Sequence, residues 1–91
     1  MPIQVRVPTA LRQVMGGTTR IEVEATHVGA ALKELESAYP ALRAVLRDEE
    51  GTLRPRVSVY VNDRHVRFLQ GLETPLAEGD EVYVVPVIMG G

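Results

Sequence analysis

The sequence predicts an α+β fold, one main helix laid across one face of a mixed sheet of four to five strands. Three observations lead there. Short segments alternate strictly between apolar and polar residues, as strands with one buried face do. One segment carries a continuous apolar stripe at helical spacing, and a lone helix must bury that stripe against a partner. The last alternating segment, Glu81 to Val87, is the most densely apolar, as suits a strand in the middle of a sheet.

Ile3, Val5 and Val7 alternate with Gln4 and Arg6, and Pro8 ends this first strand. Thr9 is placed to cap a short turn through Ala10, Leu11, Val14 and Met15 before Gly16-Gly17 reverses the chain. No Gly-Lys-Ser/Thr follows that glycine pair, so it is turn chemistry and not a phosphate loop. Thr19 to Glu24 forms a second strand with Ile21 and Val23 inward. Thr26 is the expected N-cap of the main helix, whose stripe is Val28, Ala31, Leu32, Leu35, Ala38 and Tyr39, with Lys33, Glu34, Glu36 and Ser37 opposite. Pro40 stops this helix and opens a shorter one through Ala41, Leu42, Val45 and Leu46. Asp48-Glu49-Glu50-Gly51 reads as a solvated loop, since no ligand-spaced repeat suggests a metal site.

Val57, Val59 and Val61 alternate with Ser58 and Tyr60. Asn62-Asp63 turn the chain, and His65-Val66-Arg67 is a short return strand. Phe68, Leu72 and Leu76 are expected to pack beneath the loop that Thr74-Pro75 bends. Glu78-Gly79-Asp80 then turns into the last strand, where Val82 and Val84 share one face and Tyr83 and Val85 the other. With first and last strands adjacent and parallel in the centre, this order is the ubiquitin-like β-grasp, expected over residues 1–87 with a flexible tail at 88–91.

Ninety-one residues make one domain with little interior to spare for a deep pocket. Only Tyr39, Tyr60, Phe68 and Tyr83 are aromatic, so the core must be mainly aliphatic. A formal net charge of -2 argues against a nucleic-acid partner, which selects a basic face. The absence of cysteine excludes disulfides and thiolate chemistry, and it fits a cytoplasmic protein. No apolar run is long enough for a signal peptide or a membrane span, so no membrane partner is expected. His27 and His65 sit in separate turns without a carboxylate or serine at dyad spacing, which leaves no catalytic residue to name.

The chain ends on Val87-Ile88-Met89-Gly90-Gly91. Extended, these residues reach roughly 16 Å at ~3.3 Å each. Glycine makes the tip thin and free to take almost any backbone angle. That suits a tail that threads into a narrow channel on another protein. Its only reactive group there is the carboxylate of Gly91. Near the root of the tail, the sheet side away from the helix would show Gln4, Arg6, Ser58, Tyr60, Tyr83 and Val85. Among these, Tyr60, Tyr83 and Val85 form a partly apolar patch of the kind favoured in interface centres. Arg56, Arg64 and Arg67 read as solvated charges at strand ends.

Several stretches together resemble the ubiquitin-like sulfur carriers of the MoaD/ThiS family. They are Pro8-Thr9-Ala10-Leu11-Arg12, Val61-Asn62-Asp63 with Val66-Arg67-Phe68, Gly71-Leu72-Glu73-Thr74-Pro75-Leu76, Gly79-Asp80-Glu81-Val82 and the Gly90-Gly91 end. Within that family the likeness is greatest to the CysO-type carriers of cysteine biosynthesis, and it covers essentially the whole chain. Met89 departs from the small residue often found before Gly-Gly. The resemblance implies that a MoeB/ThiF-like enzyme adenylates Gly91 with ATP and Mg²⁺ and that sulfur then displaces AMP to leave a thiocarboxylate. The chain itself would bind no cofactor. The sulfur acceptor would be a cysteine synthase-type enzyme carrying PLP, with a metalloprotease later releasing cysteine from the tail. Other occupations of the same fold are the small subunit of molybdopterin synthase, docked on its large subunit, a ubiquitin-like modifier joined to lysine, and an interaction module with an inert tail.

Overall fold

A computed structural model describes residues 2–86. Five strands and two helices are present: β1 (Pro2–Arg6), β2 (Arg20–Glu24), α1 (Val28–Ala38), α2 (Ala41–Leu46), β3 (Val57–Val61), β4 (Arg64–His65) and β5 (Glu81–Pro86). The sheet runs β2-β1-β5-β3-β4. β1 and β5 are parallel neighbours at its centre and every other pairing is antiparallel, which is the expected β-grasp arrangement.

Period-two alternation decides which side chains are inside. Ile3, Val5, Val23, Val57, Val59, Val61, Val82 and Val84 all face α1 and are buried. From the helix, Val28, Ala31, Leu32 and Leu35 complete that layer at zero exposure. Ala38, expected at the end of the stripe, is exposed because the helix stops there. Pro40 then starts α2, whose Leu42 and Leu46 reach the same core. A part-buried ion pair ties the two helices together. Arg47 Nε donates to Glu36 Oε2 at 2.7 Å and Nη2 to Oε1 at 3.1 Å, a two-pronged contact.

Four local expectations need correction. Thr9 does not cap its turn but lies within a 3₁₀ turn at Thr9–Leu11 whose N-cap is Pro8. Thr26 does not cap α1: the N-cap is His27, and its side chain makes no capping bond. The first helical N–H, that of Val28, instead donates to the Thr74 carbonyl at 3.0 Å, so a distant loop does the work of a cap. Leu76 N–H donates to Thr26 O at 2.9 Å and fixes the same junction. Thr74 is itself buried, with Oγ1 donating to Gly71 O and accepting from Gln70 N–H.

The return strand is shorter than expected. Asn62 and Asp63, at φ 49° and 82°, make the two-residue left-handed turn that matches strand twist. His65 Nδ1 then accepts the Arg67 N–H at 3.0 Å and caps a 3₁₀ turn at Val66–Phe68. That turn sends Val66 into the core, while Phe68, expected beneath the loop, is 70% exposed. Leu72 does pack against the core, and its carbonyl comes so close to α1 that a Cβ at Gly29 would lie 3.3 Å from it.

Candidate functional site

Alternation puts a second set of side chains on the sheet face away from the helices. Register pairs Tyr83 with Tyr60 on one side and with Arg6 on the other, and pairs Val85 with Ser58. Cross-strand partners share a face, so Tyr60, Tyr83 and Val85 come together as the alternation implied. They line a shallow depression with Arg6, Asn62, Asp63 and Glu81.

The middle of this face is a row of flat groups. The Arg6 guanidinium carbon lies 4.2 Å from the Tyr83 ring centroid, a cation–π stack. Arg6 Nε is also 3.3 Å from Glu81 Oε1, a charge contact too poorly aligned to be a hydrogen bond. On the far side of Tyr60, the His65 ring meets it edge-on at 5.1 Å, and Phe68 meets His65 at 6.4 Å under Arg67. Sequence reasoning placed Arg6 and the tyrosines here but missed His65 and Phe68. The signal for His65 was available: a two-residue Asn62-Asp63 turn makes it the cross-strand partner of Tyr60.

Rings, an aliphatic side chain and a paired arginine make a face suited to binding a surface. His65 uses Nδ1 as an acceptor from backbone, and His27 lies at the start of α1 beside Thr26 Oγ1. Among the described residues, no three His, Cys, Asp or Glu side chains gather as a metal ion would require. No helix among them is long and apolar enough to cross a membrane.

The expected sulfur-bearing Gly91 and the tail residues Val87, Ile88, Met89 and Gly90 lie outside the described residues. What is defined is where they begin. β5 is described as far as Pro86, which lies opposite Val57 and one residue beyond Val85 of the aromatic face.

The ThiS family model matches residues 5–91, nearly the full length. The chain belongs to the ThiS family. It is 38% identical over 93 residues to the sulfur carrier protein CysO of Mycobacterium tuberculosis, with both chains covered completely. It is 37% identical over 94 residues to small archaeal modifier protein 3 of Haloferax volcanii, again with complete coverage of both. Among solved structures, a chain of the Amycolatopsis orientalis BexX/CysO complex matches with a TM-score of 0.84 and 36% identity, over 98% of this chain and 99% of that one. This ThiS-family chain is therefore a ubiquitin-like sulfur carrier of the CysO, ThiS and MoaD type, a small carrier rather than a catalyst.

Proposed function

We propose that this ThiS-family carrier bears sulfur on the carboxylate of Gly91 and delivers it to cysteine biosynthesis. The observation that carries this reading is the full-length likeness to CysO in a chain that ends on Gly90-Gly91. A carboxylate ionises near ~3.5 and is a poor electrophile at neutral pH, so it must be activated before sulfur can attack. A MoeB/ThiF-like enzyme using ATP and Mg²⁺ would supply that step. The Gly91 carboxylate oxygen attacks the α-phosphorus and pyrophosphate leaves. Hydrosulfide then forms a C–S bond at the carbonyl as the C–O bond to AMP breaks, giving the thiocarboxylate. Glycines at the tip allow the activating site to close around the acyl-adenylate and keep water out.

Val87, Ile88, Met89 and Gly90 would occupy the partner's channel, and Tyr60, Tyr83 and Val85 would dock against its surface. The thiocarboxylate sulfur, soft and anionic, would add to the aminoacrylate held on PLP by a cysteine synthase-type enzyme. The likeness to a small archaeal modifier protein supports a second reading, in which Gly91 is joined to lysine.

Deletion of Gly91 tests the site. The truncated chain should keep its circular dichroism spectrum and melting temperature, because the core residues described, from Ile3 to Val84, are all retained. It should lose ATP-dependent sulfur loading by the adenylating enzyme, followed by intact mass as exchange of one oxygen for sulfur. Full loading of the truncated chain refutes the assignment. Attachment to lysines of other proteins in the native host, without that exchange, favours the modifier.

A further inference from the structure

Asn62 and Asp80 lie 18 residues apart in sequence and meet at one corner of the sheet. Asn62 Nδ2 donates to Asp80 Oδ1 at 2.8 Å, and Asn62 Oδ1 accepts the Glu81 N–H at 3.0 Å. The other Asp80 oxygen, Oδ2, accepts the Ala77 N–H at 2.8 Å. Backbone bonds frame the same corner, with Asn62 N–H donating to Glu81 O at 3.0 Å and Gln4 N–H to Asp80 O at 3.3 Å. The two side chains thus tie the end of β3 to the start of β5, beside β1. Asn62 and Asp63 also make the left-handed turn that returns β4 and sets His65 opposite Tyr60.

The valines alone do not fix this register. On the core face Val59 pairs with Val84 and Val61 with Val82. A slip of one residue is excluded, because it would turn the valines outward. A slip of two residues keeps each side chain on its own face and still sets Val61 opposite Val84, or Val59 opposite Val82. It would nevertheless move Tyr60 from Tyr83 to Val85 or to Glu81 and dissolve the row. The Asn62–Asp80 contact belongs to one register only. We propose that Asn62 and Asp80 are positioning residues, a clamp that locks β5 on β3 so that Tyr60 and Tyr83 are presented together to the adenylating enzyme. The inference rests on the docking reading above and adds what holds that face in shape. A hydrogen bond to a carboxylate is stronger than a neutral one, which suits a pair that selects among similar packings.

The test is the KM of a MoeB/ThiF-type adenylating enzyme for the full chain, with NMR ring signals of Tyr60 and Tyr83 recorded on the same samples. Asn62→Gly keeps the left-handed angle and deletes only the side-chain bonds. It should raise KM about tenfold, leave kcat within about twofold and shift both tyrosine signals. Asn62→Asp sets two carboxylates against each other and should do at least as much. Combining Asn62→Asp with Asp80→Asn rebuilds the clamp with its donor reversed. The carboxylate then accepts from the Glu81 N–H and from the new amide, whose oxygen still accepts the Ala77 N–H. This double variant should return KM to within about twofold of the unaltered chain, and the tyrosine signals with it. Melting curves check that each variant is folded at the assay temperature. Unchanged KM in Asn62→Gly overturns the clamp, and so does a double variant that melts normally yet keeps a raised KM. If Tyr83→Ala raises KM while Asn62→Gly is silent, the docking face stands and the clamp alone is lost. If neither changes KM, or the unaltered chain is no substrate, the docking reading and this inference fall together.

Discussion

The same three central strands present two unlike faces. Toward the helices, Val5, Val59, Val82 and Val84 are almost completely buried and carry no polar atom in their side chains. Away from them, Arg6, Tyr60, Tyr83 and Val85 are only half-buried and stack as rings and a guanidinium. Neighbours in sequence thus belong to different tasks: Val82 and Val84 hold the domain together, while Tyr83 between them is available to a partner. Stability and recognition are separated by a single residue step along each strand.

That separation can be broken first from the inside. Leu32 in α1 is fully buried against the sheet. Leu32→Ala should cost about 2–5 kcal/mol, the largest loss expected here, because removed contacts and a residual cavity add together. In a domain of this size each kcal/mol lowers the melting temperature by roughly 4–8 °C, so thermal denaturation reads the effect directly. Sulfur loading below the transition should persist, since no docking residue has changed.

The Glu36–Arg47 pair makes a sharper case, with side chains only 10% and 14% exposed. Glu36→Ala leaves a largely desolvated guanidinium without its carboxylate and should cost about 2–3 kcal/mol. Glu36→Leu with Arg47→Met removes both charges and should recover most of that loss, because a buried pair gains little over apolar packing. Denaturant unfolding of both variants makes the comparison. Equal losses would mean that the pair contributes net stability and does more than satisfy its own burial.

What the sequence made legible was what is local. Alternation in β1, β3 and β5 sorted the faces correctly, and the stripe of α1 marked its buried side through Leu35. Two features depended on residues distant in sequence. Thr26 had the right chemistry for an N-cap, yet the Val28 N–H is taken by the Thr74 carbonyl from the loop before β5. Glu36 sat on the polar side of the helix, and only the turn at Pro40 brings Arg47 to it. As for the site, Tyr60, Tyr83 and Val85 were readable from strand parity. The chemistry proposed for Gly91 rests on the Gly-Gly motif and the family likeness, not on strand parity.

On the open face the expected losses move from stability to binding. Tyr83 lies between Arg6 and Tyr60 and is the centre of the row. Tyr83→Ala should weaken binding to the adenylating enzyme by tenfold or more, about 1.4 kcal/mol, as loss of a central aromatic anchor does. Its stability cost should stay within about 1 kcal/mol, the size of a cross-strand pair contribution. Calorimetric titration and a melting curve measure the two on one sample. A large fall in stability with unchanged affinity would erase the distinction between the faces.

Phe68 should show the smallest stability effect, and it separates composition from position. An aromatic residue in a chain with only four invites a place in the core. The 3₁₀ turn capped by His65 instead spends its inward position on Val66 and leaves Phe68 70% exposed, stacked with Arg67 at 4.7 Å. Phe68→Ala should therefore change unfolding free energy by about 0.5 kcal/mol or less, whereas a core phenylalanine would cost about 3–5 kcal/mol. Val66→Ala, two residues away but buried, should cost more than Phe68→Ala despite deleting fewer atoms. Urea unfolding of the two variants gives the order, and the opposite order would return Phe68 to the core.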